Sequence, residues 1–182
     1  MPTDDLVAEL EIITNNLVLG CAALAFLDLP SCHDMLDIAQ MTFPGYRVPG
    51  AQIADALRDE RRKTHVLGEF AKMLLRTFVR DAYQVVEEYC RNTNQLVTLS
   101  KQPWYQFARL MRNSLSHGSR LDLGDYVKRQ QLPIEWVSPI SGEEVTVTKE
   151  MDGCSLNTRQ LSLTRAWELL QQMQQFAQAG LS

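Results

Sequence analysis

Histidine is scarce in this chain, cysteine is scattered, and positive charge is in deficit. Its 182 residues hold three histidines, His33, His65 and His117, and four cysteines, Cys21, Cys32, Cys90 and Cys154, with no C-x-x-C pair. No zinc-ligand spacing can be assembled from these, so neither a metal site nor a cofactor is expected. Eighteen Lys and Arg against 22 Asp and Glu give a net charge of −4. That excludes a global basic field, so any contact with nucleic acid has to use a local patch. The apolar run Leu17–Leu27 is shorter than the ~20 residues that span a bilayer and reads as a buried helix. Asp4, Asp5, Glu9 and Glu11 stand where a secretion signal needs positive charge. Cysteines used as small buried hydrophobes suit a reducing compartment. A cytoplasmic protein without membrane association is the expectation.

What is present describes one ordinary globular domain, expected over residues 1–182, with 45% hydrophobic and 22% charged residues. Leu6, Leu10, Ile13, Leu17, Cys21, Leu24 and Leu27 alternate spacings of four and three, one continuous stripe on a helix that Pro30 ends. Ser31 with Asp34 suggests the cap of a short second helix to about Met41. Pro44, Gly45, Pro49 and Gly50 make Phe43–Gly50 a loop. From Gln52 to about Arg91 a helical period runs without proline, interrupted by the charged cluster Arg58–Lys63. This reads as two helices or one kinked helix, divided near Thr64. Pro103 opens a further helix, whose buried side is Phe107, Leu110, Met111 and Leu115. Ile134–Val137 and Val145–Thr148 flank Ser138–Gly142 as a β-hairpin, placed at about 132–150. A last helix runs from about Leu163 to Ala179. The expected fold is an all-α antiparallel bundle with one small hairpin before its final helix.

The sharpest feature is Arg112-Asn113-Ser114-Leu115-Ser116-His117-Gly118. It puts a permanent cation and an imidazole, the side chain that titrates nearest neutrality, at the end of a helix. At ~100° and ~1.5 Å per residue, Arg112 and His117 diverge by roughly 140° around the helix and roughly 7.5 Å along it. Asn113 lies one turn before His117, where its amide can orient the ring. Gly118 suits the left-handed residue that ends helices. Two such helices facing across a twofold axis would offer two arginines and two histidines to one phosphate, so a homodimer with a composite site is expected.

The segment Lys101–Arg120 holds Lys101, Arg109, Arg112 and Arg120 and no acidic residue, a local positive element in an acidic chain. Arg109 and Tyr105 are candidates for backbone and base-stacking contacts with RNA, and the alternative for both is a solvated helix face. Arg76 and Arg80 extend the patch, and Ser116 joins it from within the motif. Trp104, Trp136 and Trp167 read as core or interface, His33 and His65 as surface or capping residues.

The heptad resembles the R-x4-6-H motif of HEPN domains, in the form where a polar residue follows the arginine. The resemblance covers the helical body of the chain and implies a HEPN-like bundle. Many HEPN domains are metal-independent endoribonucleases of toxin–antitoxin and phage-defence systems; others bind nucleotides or RNA without cutting. Carried over, it implies that His117 transfers protons, Arg112 holds the scissile phosphate and Asn113 supports them. The implied reaction is attack of a ribose 2′-hydroxyl that leaves a 2′,3′-cyclic phosphate, with RNA and an antitoxin as partners. A non-catalytic dimerisation or RNA/nucleotide-binding module is the other reading.

Overall fold

The computed structural model describes residues 3–179 and 181. The described residues are mostly helical, with two small β-hairpins. The chain divides into two compact units, one of Met1–Thr14 with Leu75–Ser182 and one of Asn15–Leu74. The helices α1 (Thr3–Leu27) and α4 (Glu60–Asn92) contribute residues to both.

In the smaller unit, α2 (Pro30–Ile38), β1 (Gln40–Phe43), β2 (Tyr46–Pro49) and α3 (Ala51–Arg58) follow one another with minimal connections. Pro30 occupies the first turn of α2, where a missing N–H costs nothing, and no side chain caps that helix, so the expected Ser31 cap is not made. The stretch expected as a loop from Phe43 to Gly50 is instead the turn and second strand of a hairpin. Met41 pairs with Val48 and Phe43 with Tyr46, whose rings stack at 5.0 Å. Pro44-Gly45 is turn chemistry, with Gly45 at φ +89°, and Pro49 is tolerated as the last residue of an edge strand. Gly50 donates its N–H to Ala39 O at 2.9 Å, and a Cβ there would meet Leu36 O at 2.2 Å, so only glycine fits between α2 and α3.

The break in the long helical stretch falls at Asp59 rather than near Thr64. Asp59 leaves helical geometry, and its Oδ1 accepts the Arg62 N–H at 2.9 Å, capping α4. The charged cluster therefore contains the helix start. Arg58 pairs with Asp34 and Asp37, holding the Asp37 carboxyl below its ordinary range, and Lys63 pairs with Asp28 and Glu60. His33, expected as a surface or capping residue, is buried and donates from Nε2 to Leu27 O at 2.9 Å, satisfying a carbonyl at the end of α1.

The apolar run of α1 is not the buried helix expected. Leu17 is buried and Gly20 lies against Leu74, yet Val18, Leu19 and Phe26 are 52%, 69% and 64% exposed. Among the described residues α1 is the one helix long and apolar enough to cross a membrane, and 17% of its most apolar window is buried.

The larger unit is organised around α6 (Tyr105–Ser116). Its Phe107 ring lies parallel to that of Trp136, centroids 4.9 Å apart, fastening it to β3 (Ile134–Val137). Trp104, just before it, meets Phe176 of α8 (Leu163–Ala179) edge-on at 5.8 Å, and Tyr105 lies 6.3 Å from Tyr83 of α4. The expected hairpin is present: Ile134, Trp136, Val145 and Val147 point inward, with Trp136 opposite Val145 of β4 (Glu144–Val147). Its tip is tied to α8, where Ser141 Oγ donates to the buried Glu168 and Arg165 pairs with Glu143. Two short helices, α5 (Leu96–Ser100) and α7 (Gly124–Lys128), stand where no element was expected; five residues are too few to show a period. Cys90 is fully buried and its thiol is pushed up to about 11 by burial, whereas Cys154 is exposed rather than a core residue.

The Trp136 indole N–H is buried without a hydrogen-bond partner, so its contribution is packing alone. Trp136→Ala is expected to destabilise the chain by about 3–5 kcal/mol. Trp136→Phe is expected to cost less than half of that, because the stack on Phe107 survives and no bond is lost; urea unfolding of both variants measures the difference.

Candidate functional site

The motif lies where the expectation put it, at the C-terminal end of α6. His117 leaves helical geometry, its N–H shared between Asn113 O and Ser114 O at 3.1 and 3.3 Å. Gly118 follows at φ +77°, and the Ser119 N–H returns to Ser114 O at 2.8 Å. This is the Schellman arrangement, which satisfies carbonyls that the helix itself cannot. The chain after it is held by backbone bonds to a distant segment: Leu121 N–H to Cys154 O, Gly153 N–H to Leu121 O and Leu156 N–H to Ser119 O, at 2.8–2.9 Å. The Leu123 N–H donates to Asp152 Oδ1 at 2.8 Å. His117 is thus exposed on a helix end whose outgoing chain is immobilised.

Arg109, Asn113 and His117, four residues apart each, share one face of α6 and line a cavity of about 340 Å³ with Asp122, Asp125, Tyr126 and Lys128. Tyr126 comes back from α7, and the Arg109 guanidinium sits 5.7 Å from the centre of its ring. Burial pushes the Tyr126 phenol up to about 12. Asp122 Oδ1 accepts the Gly124 N–H at 3.2 Å, and Asp125 faces Lys128 at 3.7 Å. These cavity residues outside α6 were missed from sequence. The available signal was the pair Asp122 and Asp125 directly after a helix stop.

Arg112 does not line this cavity. Its guanidinium donates to Asn113 Oδ1 at 3.0 Å, so the side-chain partner of Asn113 is Arg112 rather than the His117 ring. Asn113 therefore joins the arginine to the cavity in which the imidazole stands. The Arg112 Nε–H is buried without a partner, and among the described residues no carboxylate pairs with Arg112 or Arg109. By contrast Arg58, Arg80, Arg91 and Arg165 each face an acid. Ser116 Oγ donates to Arg112 O at 2.9 Å, bracing the last turn.

Of the remaining candidates, Tyr105 is half-buried beside Tyr83, and Arg80 is paired with Asp81 at 2.9 Å. Arg76 is exposed on α4. None of the three lines the cavity. No group of His, Cys, Asp and Glu among the described residues could hold a metal ion. No protein-family model, curated protein or solved structure matches the chain.

A Cβ at Gly118 would meet nothing within 4 Å, so substitution there is a test of backbone conformation alone. Gly118→Ala is expected to cost about 1–2 kcal/mol. In a chain of this size that lowers the melting temperature by about 2–4 °C per kcal/mol, and Gly118→Asn by less, since asparagine tolerates the left-handed region.

Proposed function

We propose that the chain is a HEPN-type, metal-independent endoribonuclease that works as a homodimer in the cytoplasm, in the manner of a toxin or defence effector held by an antitoxin. The observation that carries this reading is Arg112: among the described residues, a guanidinium without a carboxylate partner, its Nε–H buried and unpaired, tied through Asn113 to the cavity of an exposed His117. A buried donor left unpaired costs free energy that an incoming acceptor removes, and a phosphate oxygen is the acceptor an arginine fits best. Because Arg112 stands outside the cavity that His117 lines, the phosphate site is composite, with Arg112 of a second copy reaching the phosphate beside His117.

In the reaction, the ribose 2′-oxygen bonds to the adjacent phosphorus as the bond from phosphorus to the 5′-oxygen breaks. One imidazole takes the 2′-hydroxyl proton and the other returns a proton to the leaving 5′-oxygen, giving a 2′,3′-cyclic phosphate and a 5′-hydroxyl. Proton transfer of this kind contributes about 10²–10⁴-fold, and the arginines stabilise charge developing on the phosphate.

Two carboxylates, Asp122 and Asp125, in the cavity of His117 favour a second reading, a module that binds RNA or a nucleotide without cutting it. Incubation of single-stranded RNA with the purified chain in EDTA separates the two. Cleavage with a 2′,3′-cyclic phosphate end, reduced at least about a hundredfold by His117→Ala and by Arg112→Ala, is the expected result. Binding without any product selects the module, and cleavage unchanged in both variants removes the site.

A further inference from the structure

The cavity beside His117 combines charges that a phosphate alone does not explain. Asp122 and Asp125 line it and are exposed, and each retains unused acceptor positions. Asp122 takes one bond from Gly124 N–H, and Asp125 meets Lys128 only at 3.7 Å, whereas a carboxylate offers about four lone-pair sites. Tyr126, which lines the same cavity, is 3% exposed, and its hydroxyl has no hydrogen-bond partner among the described residues. Arg109 covers the Tyr126 ring, with no acid paired to it among the described residues. The cavity lining thus supplies acceptors, the two carboxylates, together with donors, a phenol, a guanidinium and the Lys128 ammonium. About 340 Å³ lies at the small end of ligand sites, room for one base and its ribose.

Among the nucleobases, guanine alone presents two adjacent donors, N1–H and N2–H₂, together with two adjacent acceptors, O6 and N7. One carboxylate accepts both donors side by side, and arginine is the usual partner of O6 and N7. Adenine and cytosine place an acceptor beside their donor group, and a carboxylate repels it. Uracil has a single N–H between two carbonyls. We propose that this cavity is a guanine pocket, in which Asp122 and Asp125 read the N1–H and N2–H₂ edge while Arg109 and Tyr126 meet O6 and N7. The base bound next to the scissile phosphate is then guanine. The position of cutting rests on the ribonuclease reading above; the recognition of the base does not.

Calorimetric titration of the full chain with GMP, IMP and AMP tests the pocket without altering the protein, since IMP lacks only the 2-amino group. GMP is expected to bind at least about tenfold more tightly than either, and Asp122→Asn together with Asp125→Asn to bring GMP to the level of IMP. Both aspartates are exposed, and circular dichroism confirms that the double variant is folded. Equal affinity for the three nucleotides, binding of none, or a GMP preference that survives the double variant overturns the pocket. Mapping of RNA products keeps the two proposals apart. GMP preference without RNA cleavage sinks the ribonuclease and leaves the pocket standing. Cleavage distributed equally over all four bases does the reverse.

Discussion

Burial of the apolar side of α6 is the constraint on which the larger unit depends. Phe107, Leu110 and Met111 are fully buried, and rings fasten neighbours to this helix or to Trp104 just before it: Trp136 from the hairpin and Tyr83 from α4 on aromatic partners, Phe176 from α8 on Trp104, and Tyr126 from α7 under the Arg109 guanidinium. The aromatic pairs among these contribute about 0.5–1.5 kcal/mol each beyond the area they bury. With one side committed, the other is determined by the helical period. Arg109, Asn113 and His117 line up because they are four apart on a helix that cannot rotate.

The electrostatic character of the site follows from what the acids of this chain do elsewhere. The protein is acidic, and four of its arginines spend their charge on neighbouring carboxylates, as Arg58 does on Asp34 and Asp37 and as Arg80, Arg91 and Arg165 do on one acid each. The two arginines of α6 have neutral partners instead: one lies on a tyrosine face and the other on an asparagine carbonyl. Neutral partners orient a guanidinium and leave its charge available. An acidic chain can in this way keep a short basic element without the global field expected of a nucleic-acid binder.

Much of the fold was legible where periodicity ran long. The hairpin and α8 stand where the residue pattern put them, and Leu6, Leu10 and Leu17 are buried as their spacing implies. What was not legible depended on short elements or on tertiary partners. Pro44 and Gly45 punctuate a turn equally well in a loop and in a two-residue hairpin, and four-residue strands give alternation too little length to register. The exposure of Leu19 and Phe26 was invisible because an apolar period says which residues can be buried, not whether a neighbour arrives to cover them. At the site, the motif, its helix end and the divergence of Arg112 from His117 were readable from local geometry. The aspartates and Tyr126 were not, because only the turn after Gly118 brings them beside His117.

That turn is held by backbone bonds to Gly153–Leu156, and this sets when the site comes into being. A nascent chain that has emerged through residue 130 already contains the whole heptad, yet lacks the strand-like segment that anchors Ser119 and Leu121 and the tryptophan against which Phe107 packs. Pairing between segments far apart in sequence is late, because the closure entropy of the intervening chain precedes any gain from the contact. The arginine and the histidine therefore leave the ribosome well before they are held in place. Assembly of the cavity therefore waits for the segment Gly153–Leu156 that holds the turn after the motif.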